Sequence, residues 1–501
     1  MTTQKKLDLV LINPANRKQI YQSLSYELAA IEPPVWAGLM ATFVRKQRFS
    51  VQIIDAAAEN FDPQETADYL AELNPVLTVI VVYGQQPSAS TQVMPGASAI
   101  ATTIKQSYPD QKVLLVGGHV AALPERSLRE ENADFVATGE GLYTILDLIQ
   151  ALKSDQPNFS KVRGLWYWEN QQVKSNSSAP LLQDLKGEMP GIAWDLLPME
   201  KYRAHNWHCF DGLQRQPYAA LYTTLGCPYH CSFCCIQAPF KSGEKELGYK
   251  EITNSYRSWN PEAVISEIDL LVNKYGVRNL KIADEMFVLN PKHILGICDL
   301  IIERGYDLNM WAYARVDTVK DDMLDKLKQA GFNWLAFGIE AASDRVRDDV
   351  DKGFAKEKIS QTLEKVKAAG IHIAANYIFG LPEDDLESME ATLKLAIELN
   401  TDWANFYSAM AYPGSQLYDL AVKANWRLPD TWSGYSQHSV DTLPLPTKYL
   451  SAAEVLGFRD RAFQTYFKHP NYLDMIGKKF GSKTVQHIQE MTSHKLKRQY
   501  A

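Results

Sequence analysis

Short aliphatic runs alternate with helix-like stretches through the first 150 residues: LDLVLI, PPVWAGLMATFVRKQ, VQIID, PQETADYLAEL, TVIVVY, a segment near Ala97–Ser107, KVLLVGG, ADFVATG and GLYTILDLIQAL. Apolar runs this short are the length of buried strands, and the segments between them carry helical periodicity. Five strands with intervening helices predict a doubly wound, Rossmann-like parallel sheet over 1–150. Ligands of such sheets sit beyond the carboxyl ends of the strands. The residues there are Asn13 and Pro14, Asp55, Tyr83 and Gly84, Gly117, Gly118 and His119, and Gly139, Glu140 and Gly141.

Over 151–215 the period is lost and the chain turns polar and proline-bearing, with one hairpin expected in VRGLWYWENQQVKS. This stretch reads as a connector laid over the surface. A second alternation fills 216–425: LYTTLG, NLKIAD, NMWAYARVD, WLAFGIE, HIAANYIFG and WANFYSAMAYPG, separated by helical segments. Six strand-helix units predict a partial (β/α)6 barrel of the TIM type, with its active face at the strand C-terminal ends. Residues 426–501 read as a helical C-terminal region whose basic end, SHKLKRQY, is expected to be a solvated, frayed terminus.

With 501 residues, 46% of them hydrophobic, the chain can bury several cores. A net charge of −7 offers no basic field for a polyanion, so nucleic acid is not expected as a partner. The longest aliphatic run, Val76 to Tyr83, is far short of the roughly 20 residues of a spanning helix. No export signal is read in MTTQKKLDLVLINPANRKQ, and a cytoplasmic protein with no membrane span is expected.

Six cysteines are too few for a disulfide scaffold, and none occurs before Cys209. Cys227, Cys231 and Cys234 stand in LGCPYHCSFCC, directly after the first strand of the second alternation. Three thiolates leave a tetrahedral zinc site or a four-cysteine cluster one ligand short. The centre they would form has an open, reactive position. A zinc site completed by Cys235 or His230, and a chance group of buried thiols, remain alternatives at this point. Cys209, Cys235 and Cys298 are taken as structural.

CxxxCxxC with an aromatic, Phe233, before the third cysteine at the first strand of a partial barrel resembles the radical S-adenosylmethionine (radical SAM) superfamily. The resemblance implies a 4Fe-4S cluster on Cys227, Cys231 and Cys234 that reductively cleaves S-adenosylmethionine to a 5′-deoxyadenosyl radical. It also implies S-adenosylmethionine contacts at Phe233, Asp284 and Glu285 in KIADEMF, Arg315 in YARVD, Glu340 in FGIEAAS, and Asn376 and Gly380 in NYIFGLPED. An electron donor such as flavodoxin or ferredoxin would be a partner.

The first domain has no GxGxxG after its first strand, which argues against a dinucleotide. Its strand ends LINPAN, IEPPVWAGLMA, IIDA, VGGHVAALPE and ATGEG resemble the cobalamin-binding domain of one radical SAM class. That resemblance assigns the strand-end residues named above, from Asn13 to Gly141, to cobalamin. The chain has no DxHxxG, so no signature histidine is expected below the cobalt, and His119 is a poor substitute. Such domain pairs resemble methyltransferases acting on an unactivated carbon, or on phosphinate phosphorus, of a small-molecule substrate. A radical cyclase or rearrangement is the alternative, and a non-catalytic cobalamin or redox sensor a further one. Trp403, Phe406, Tyr407 and Tyr412 are candidates for an apolar pocket, although aromatic strands are more often core.

Overall fold

The computed structural model describes residues 6–15, 22, 29–210 and 212–500. The N-terminal apolar runs form β1 (Leu9–Asn13), β2 (Val51–Asp55), β3 (Leu77–Val81), β4 (Val113–Val116) and β5 (Phe135–Ala137), all parallel, in the order β2-β1-β3-β4-β5. Alternation along a strand feeds two cores. Leu9 and Leu11 join Trp36, Phe43 and Leu142 on one face, while Val10 and Ile12 join Met94 and Ile100 on the other. With helices on both faces the strands need no polar side, which is why they read as continuous aliphatic runs. The order reverses between β1 and β3, and the crevice outside that reversal is where sheets of this topology bind ligands.

The connector is not a surface strap. β6 (Leu165–Glu169) and β7 (Gln172–Ser175) form the expected hairpin, but it pairs antiparallel onto β5 and extends the first sheet to seven strands. Leu182, Met189, Trp194 and Tyr202 after it are fully buried between the sheets. The apolar residues of this irregular stretch are the buried ones, while polar positions such as Asp155, Gln156, Gln183 and Asp184 stay exposed.

The second alternation forms β8 (Tyr218–Leu221), β11 (Asn279–Ile282), β12 (Asn309–Ala314), β13 (Phe332–Glu340), β14 (His372–Phe379) and β15 (Trp403–Ser408), parallel and in sequence order around an open barrel. LYTTLG is two strands rather than one. β8 stops at Leu221, and β9 (Thr224–Gly226) swings away to pair antiparallel with β10 (Tyr256–Ser258). The break is held by Asp284, which accepts from the backbone of Thr223 at 2.6 Å and Thr224 at 3.1 Å.

Helices Ala452–Phe467, Pro470–Phe480 and Ser482–Ser493 close the β15 side of the barrel, with Tyr466 edge-on to Phe406 at 5.4 Å. The basic terminus is docked, contrary to expectation. Arg498 binds Asp460 at 2.8 Å and the Gln437 carbonyl at 3.0 Å, and the Gln499 backbone donates to Val440. A basic run reads as solvated unless its acceptors, here 38 or more residues away in sequence, are known.

Candidate active site

One cavity of about 1060 Å³ lies between the carboxyl ends of β1 and β3, the rim and bore of the barrel, and the C-terminal helices. It exceeds the roughly 300–1,000 Å³ of an ordinary single-ligand pocket.

Cys227, Cys231 and Cys234 all line it, on the loop after β9. The loop is pinned from three directions. Gln237 donates to the Cys227 carbonyl at 2.5 Å, the Ser232 backbone donates to Val350 at 3.1 Å, and Leu417 donates to the Ser232 carbonyl at 2.8 Å. The Arg315 guanidinium lies 4.3 Å above the Tyr229 ring, bonds Asp317 at 2.7 Å and approaches the Cys231 sulfur to 3.9 Å. Burial pushes the Cys227 thiol up to about 12, and burial with the neighbouring thiols raises Cys234 as well. Such thiols ionise only against a strong positive charge, which iron supplies. Among the described residues no three His, Cys, Asp or Glu side chains converge on a point as a single ion requires. Thiolates on separate irons of one cluster need no such convergence, so the donor set fits a cluster better than zinc. Cys235 lines the cavity beside them, while Cys209 and Cys298 are buried away from it.

The remaining barrel candidates divide. Phe233, Glu285, Arg315, Glu340 and Asn376 line the cavity. Glu340 has a left-handed backbone, φ 63°, at a register shift between β13 and β14, and its carboxylate meets Lys352 at 2.7 Å. Strain of this kind in a non-glycine residue collects at functional sites. Asn376 donates to the Phe337 carbonyl at 3.1 Å and accepts from Asn405 at 2.9 Å. Burial raises Glu285 to about 8, against the pull of Lys281. Asp284 and Gly380 do not reach the cavity. Asp284 is consumed by Thr223 and Thr224, and a side chain at Gly380, φ 81°, would collide with Val455.

The first domain also divides. Asn13, Pro14, Tyr83 and Gly84 line the cavity, with Tyr83 stacked on Trp36 at 4.1 Å. Gly118 touches only a side crevice of about 30 Å³. Asp55, Gly117, His119, Gly139, Glu140 and Gly141 are elsewhere. Asp55 accepts from Asn13 at 2.7 Å and Tyr202 at 2.8 Å. A side chain on Gly117, φ 153°, would run into the Val82 backbone, so this glycine serves strand packing. His119 sits 1% exposed between Thr91, 3.1 Å from its Nδ1, and the Trp432 ring, and burial lowers it to about 3. Glu140 pairs with Arg257 at 2.8 Å.

Several lining residues were not legible as such. Gln85, Gln86, Ser88 and Gln92 follow β3 at the topological reversal. Equal weight on every strand end hides them, whereas the strand order points to them. Lys281, 3% exposed, pairs with Glu32 at 2.9 Å and donates to the Gln85 carbonyl at 3.2 Å. A lysine inside a buried strand signals a partner, because such residues are almost never fully buried unpaired. Trp403, Phe406, Tyr407 and Tyr412 line the cavity, although Phe406 also stacks on Tyr377 and Phe379 in the core.

A B12 binding domain model matches residues 24–149, and the Radical SAM superfamily model matches residues 221–396. The chain is 30% identical to an uncharacterized methyltransferase of Pyrococcus horikoshii, over 88% of this chain and 89% of that one. The chain belongs to the cobalamin-binding radical S-adenosylmethionine enzymes. It is also 26% identical to the anaerobic magnesium-protoporphyrin IX monomethyl ester cyclase of Cereibacter sphaeroides, over 87% of this chain and 67% of the other. The fold of this radical SAM enzyme is shared with OxsB bound to aqua-cobalamin and S-adenosylmethionine, at TM-score 0.69, 16% identity and coverage of 98% and 72%. It is shared too with TsrM of Kitasatospora setae, at TM-score 0.65, 15% identity and coverage of 97% and 99%.

The cofactors of this radical SAM enzyme are a 4Fe-4S cluster, S-adenosylmethionine and cobalamin. The chamber accommodates them chemically: its lining includes the three thiols, the stacked pair of Trp36 and Tyr83, and Gln85, Gln86, Ser88 and Gln92 after β3. No helix of the described residues is long and apolar enough to cross a membrane.

Proposed function

We propose that the enzyme methylates an unactivated carbon, or a phosphinate phosphorus, of a small molecule. The observation that carries this reading is the single chamber, into which the cysteine loop and the β1/β3 crevice both open. When bound, the cluster supplies the electron that opens a carbon–sulfur bond of S-adenosylmethionine, and cobalamin supplies the methyl group. A carbon that is no nucleophile needs both.

On this reading Cys227, Cys231 and Cys234 hold the cluster, and Arg315 lays its positive charge against Cys231. Glu340, oriented by Lys352, and Asn376, fixed by Phe337 and Asn405, offer acceptors and donors to the polar groups of S-adenosylmethionine. Asn13, Pro14, Tyr83 and Gly84 border the corrin. The chain's own work is to orient the reactants and exclude water. Relatives named as methyltransferases support the reading, among them the cytidylyl-2-hydroxyethylphosphonate methyltransferase of Streptomyces wedmorensis, 22% identical over 85% of this chain. The cyclase relative favours a second reading, a radical rearrangement without methyl transfer. A reduced flavodoxin or ferredoxin in the cytoplasm would feed the electron.

The products separate these readings. Anaerobically reconstituted enzyme with reductant, cobalamin and substrate-containing extract is expected to form 5′-deoxyadenosine and S-adenosylhomocysteine together. 5′-Deoxyadenosine alone indicates rearrangement, and the absence of both overturns catalysis.

A further inference from the structure

A barrel of this kind ordinarily fills its bore with layers of bulky branched side chains. Here β13 and β14 give Ala336, Gly338 and Ala374 to the cavity wall, so the bore stays open. It continues past Trp403, Asn405 and Tyr407 to the C-terminal helices.

The charge along that outer wall is unlike the rest of the chain. Acidic residues outnumber basic ones 59 to 52 overall, yet the C-terminal region presents Arg459, Arg461, Lys468 and Lys495 to the cavity and, among the described residues, one carboxylate, Asp460. Asp460 is gripped by Arg459 and Arg498, each at 2.8 Å, and Arg461 is paired with Glu390 at 2.6 Å. Lys468 and Lys495 have no carboxylate partner among the described residues. Deeper in the chamber the charges are matched, Glu32 with Lys281 and Glu340 with Lys352. The excess positive charge is therefore concentrated at one end of an aromatic bore.

We propose that the substrate is an amphiphilic anion, with a flat or elongated apolar body in the bore and a carboxylate or phosphate held at the mouth by Lys468 and Lys495. This rests on the chamber being where the reaction occurs. The arrangement keeps the anion in the wet end, where a charge is not desolvated, and presents the apolar end toward the cysteine rim. Substrate orientation would thus be set by charge at one end and by aromatic contact along the body.

Paired probes test it. 1-Anilinonaphthalene-8-sulfonate has an aromatic body and an anion, and N-phenyl-1-naphthylamine has the body alone. By fluorescence titration of reconstituted enzyme, the Lys468→Gln/Lys495→Gln variant is expected to bind the sulfonate about three- to tenfold more weakly and the neutral probe within about twofold of wild type, as two exposed ion pairs allow. The Lys468→Arg/Lys495→Arg variant should retain the sulfonate, and Ala374→Trp, which fills the bore, should lose both probes. Displacement of the sulfonate by dodecanoate or by dodecyl phosphate, with dodecanol as the uncharged control, tells which anion the mouth prefers. Unchanged sulfonate binding in the glutamine variant, equal loss in the arginine variant, or parallel loss of the neutral probe would each overturn the proposal. Binding is read without turnover, so its failure leaves methyl transfer standing, and missing S-adenosylhomocysteine leaves this binding result standing.

Discussion

Single side chains in this chamber are committed by their partners more than by their type. Asp284 and Glu285 are neighbours at one strand end, yet Asp284 braces the β8–β9 break while Glu285 faces the cavity. Both lie just past the end of β11, where the chain turns, so the two adjacent carboxylates point to different partners. Glu340 is the candidate best marked by geometry, because it combines a left-handed backbone, a register shift and a buried ion pair. Glu340→Gln keeps the shape and one acceptor oxygen but removes the charge. Loss of a charge-assisted hydrogen bond is worth about 1.5–3 kcal/mol, so the S-adenosylmethionine Kd should rise about ten- to hundredfold. Cluster absorbance should be unchanged. Isothermal titration of reconstituted variant and wild type checks this, and equal affinities would remove Glu340 from the binding role. The cysteine loop was legible because its spacing is local. The Glu340–Lys352 pair was half legible: the carboxylate stands at a strand end, but its cation lies on a loop twelve residues on that only the fold brings back.

At the scale of elements, the aliphatic runs marked the parallel strands well, since burial on both faces leaves an uninterrupted apolar signature. The order of those strands was invisible, and with it the fact that the ends of β1 and β3, and not those of β4 and β5, open into the chamber. A glycine required by chain packing, such as Gly117, has the same letter as one facing a ligand, so the sequence does not tell the two apart. The connector was misread for a related reason: irregular backbone can be buried if its polar groups find partners. Glu267, on the barrel helix Pro261–Tyr275, supplies them, accepting from the Ile192 backbone at 2.8 Å and the Trp194 indole at 2.9 Å through one oxygen. Burial raises its carboxyl to about 7, above the ordinary 4.5. A raised carboxyl favours the protonated folded state, so its contribution is full below about pH 4.5 and is lost as pH climbs to 7. The total is on the order of 3 kcal/mol at about 1.4 kcal/mol per pKa unit. Glu267→Gln retains the accepting oxygen without the charge. Its urea midpoint should lose this decline between pH 5 and 7.5 and exceed wild type above pH 7; a parallel decline in both proteins would show that Glu267 does not titrate there.

Across the whole molecule, the chamber exists only while the two sheets stay in register, and buried charges at their junction fix that register. Arg257 on β10 bonds Glu140 beyond β5 at 2.8 Å and the Leu182 carbonyl at 2.6 Å, and the Leu182 backbone donates to Glu140 at 2.9 Å. First sheet, connector and the ribbon carrying the cysteine loop thus meet at one ion pair whose side chains are 8% and 4% exposed. Such a pair need not beat an apolar replacement, because both charges pay for desolvation, but removing one partner strands the other and costs about 3–5 kcal/mol. Arg257→Ala should therefore lower the thermal midpoint sharply and, by freeing β10 from the first sheet, loosen the adjoining cysteine loop and reduce the iron retained after reconstitution. Glu140→Gln/Arg257→Met removes both charges and should recover most of the midpoint. Iron retention should recover with it if the pair acts by holding the sheets together. A double variant as unstable as Arg257→Ala would mean that the specific geometry of the bonds, not the avoidance of a lone buried charge, sets the register.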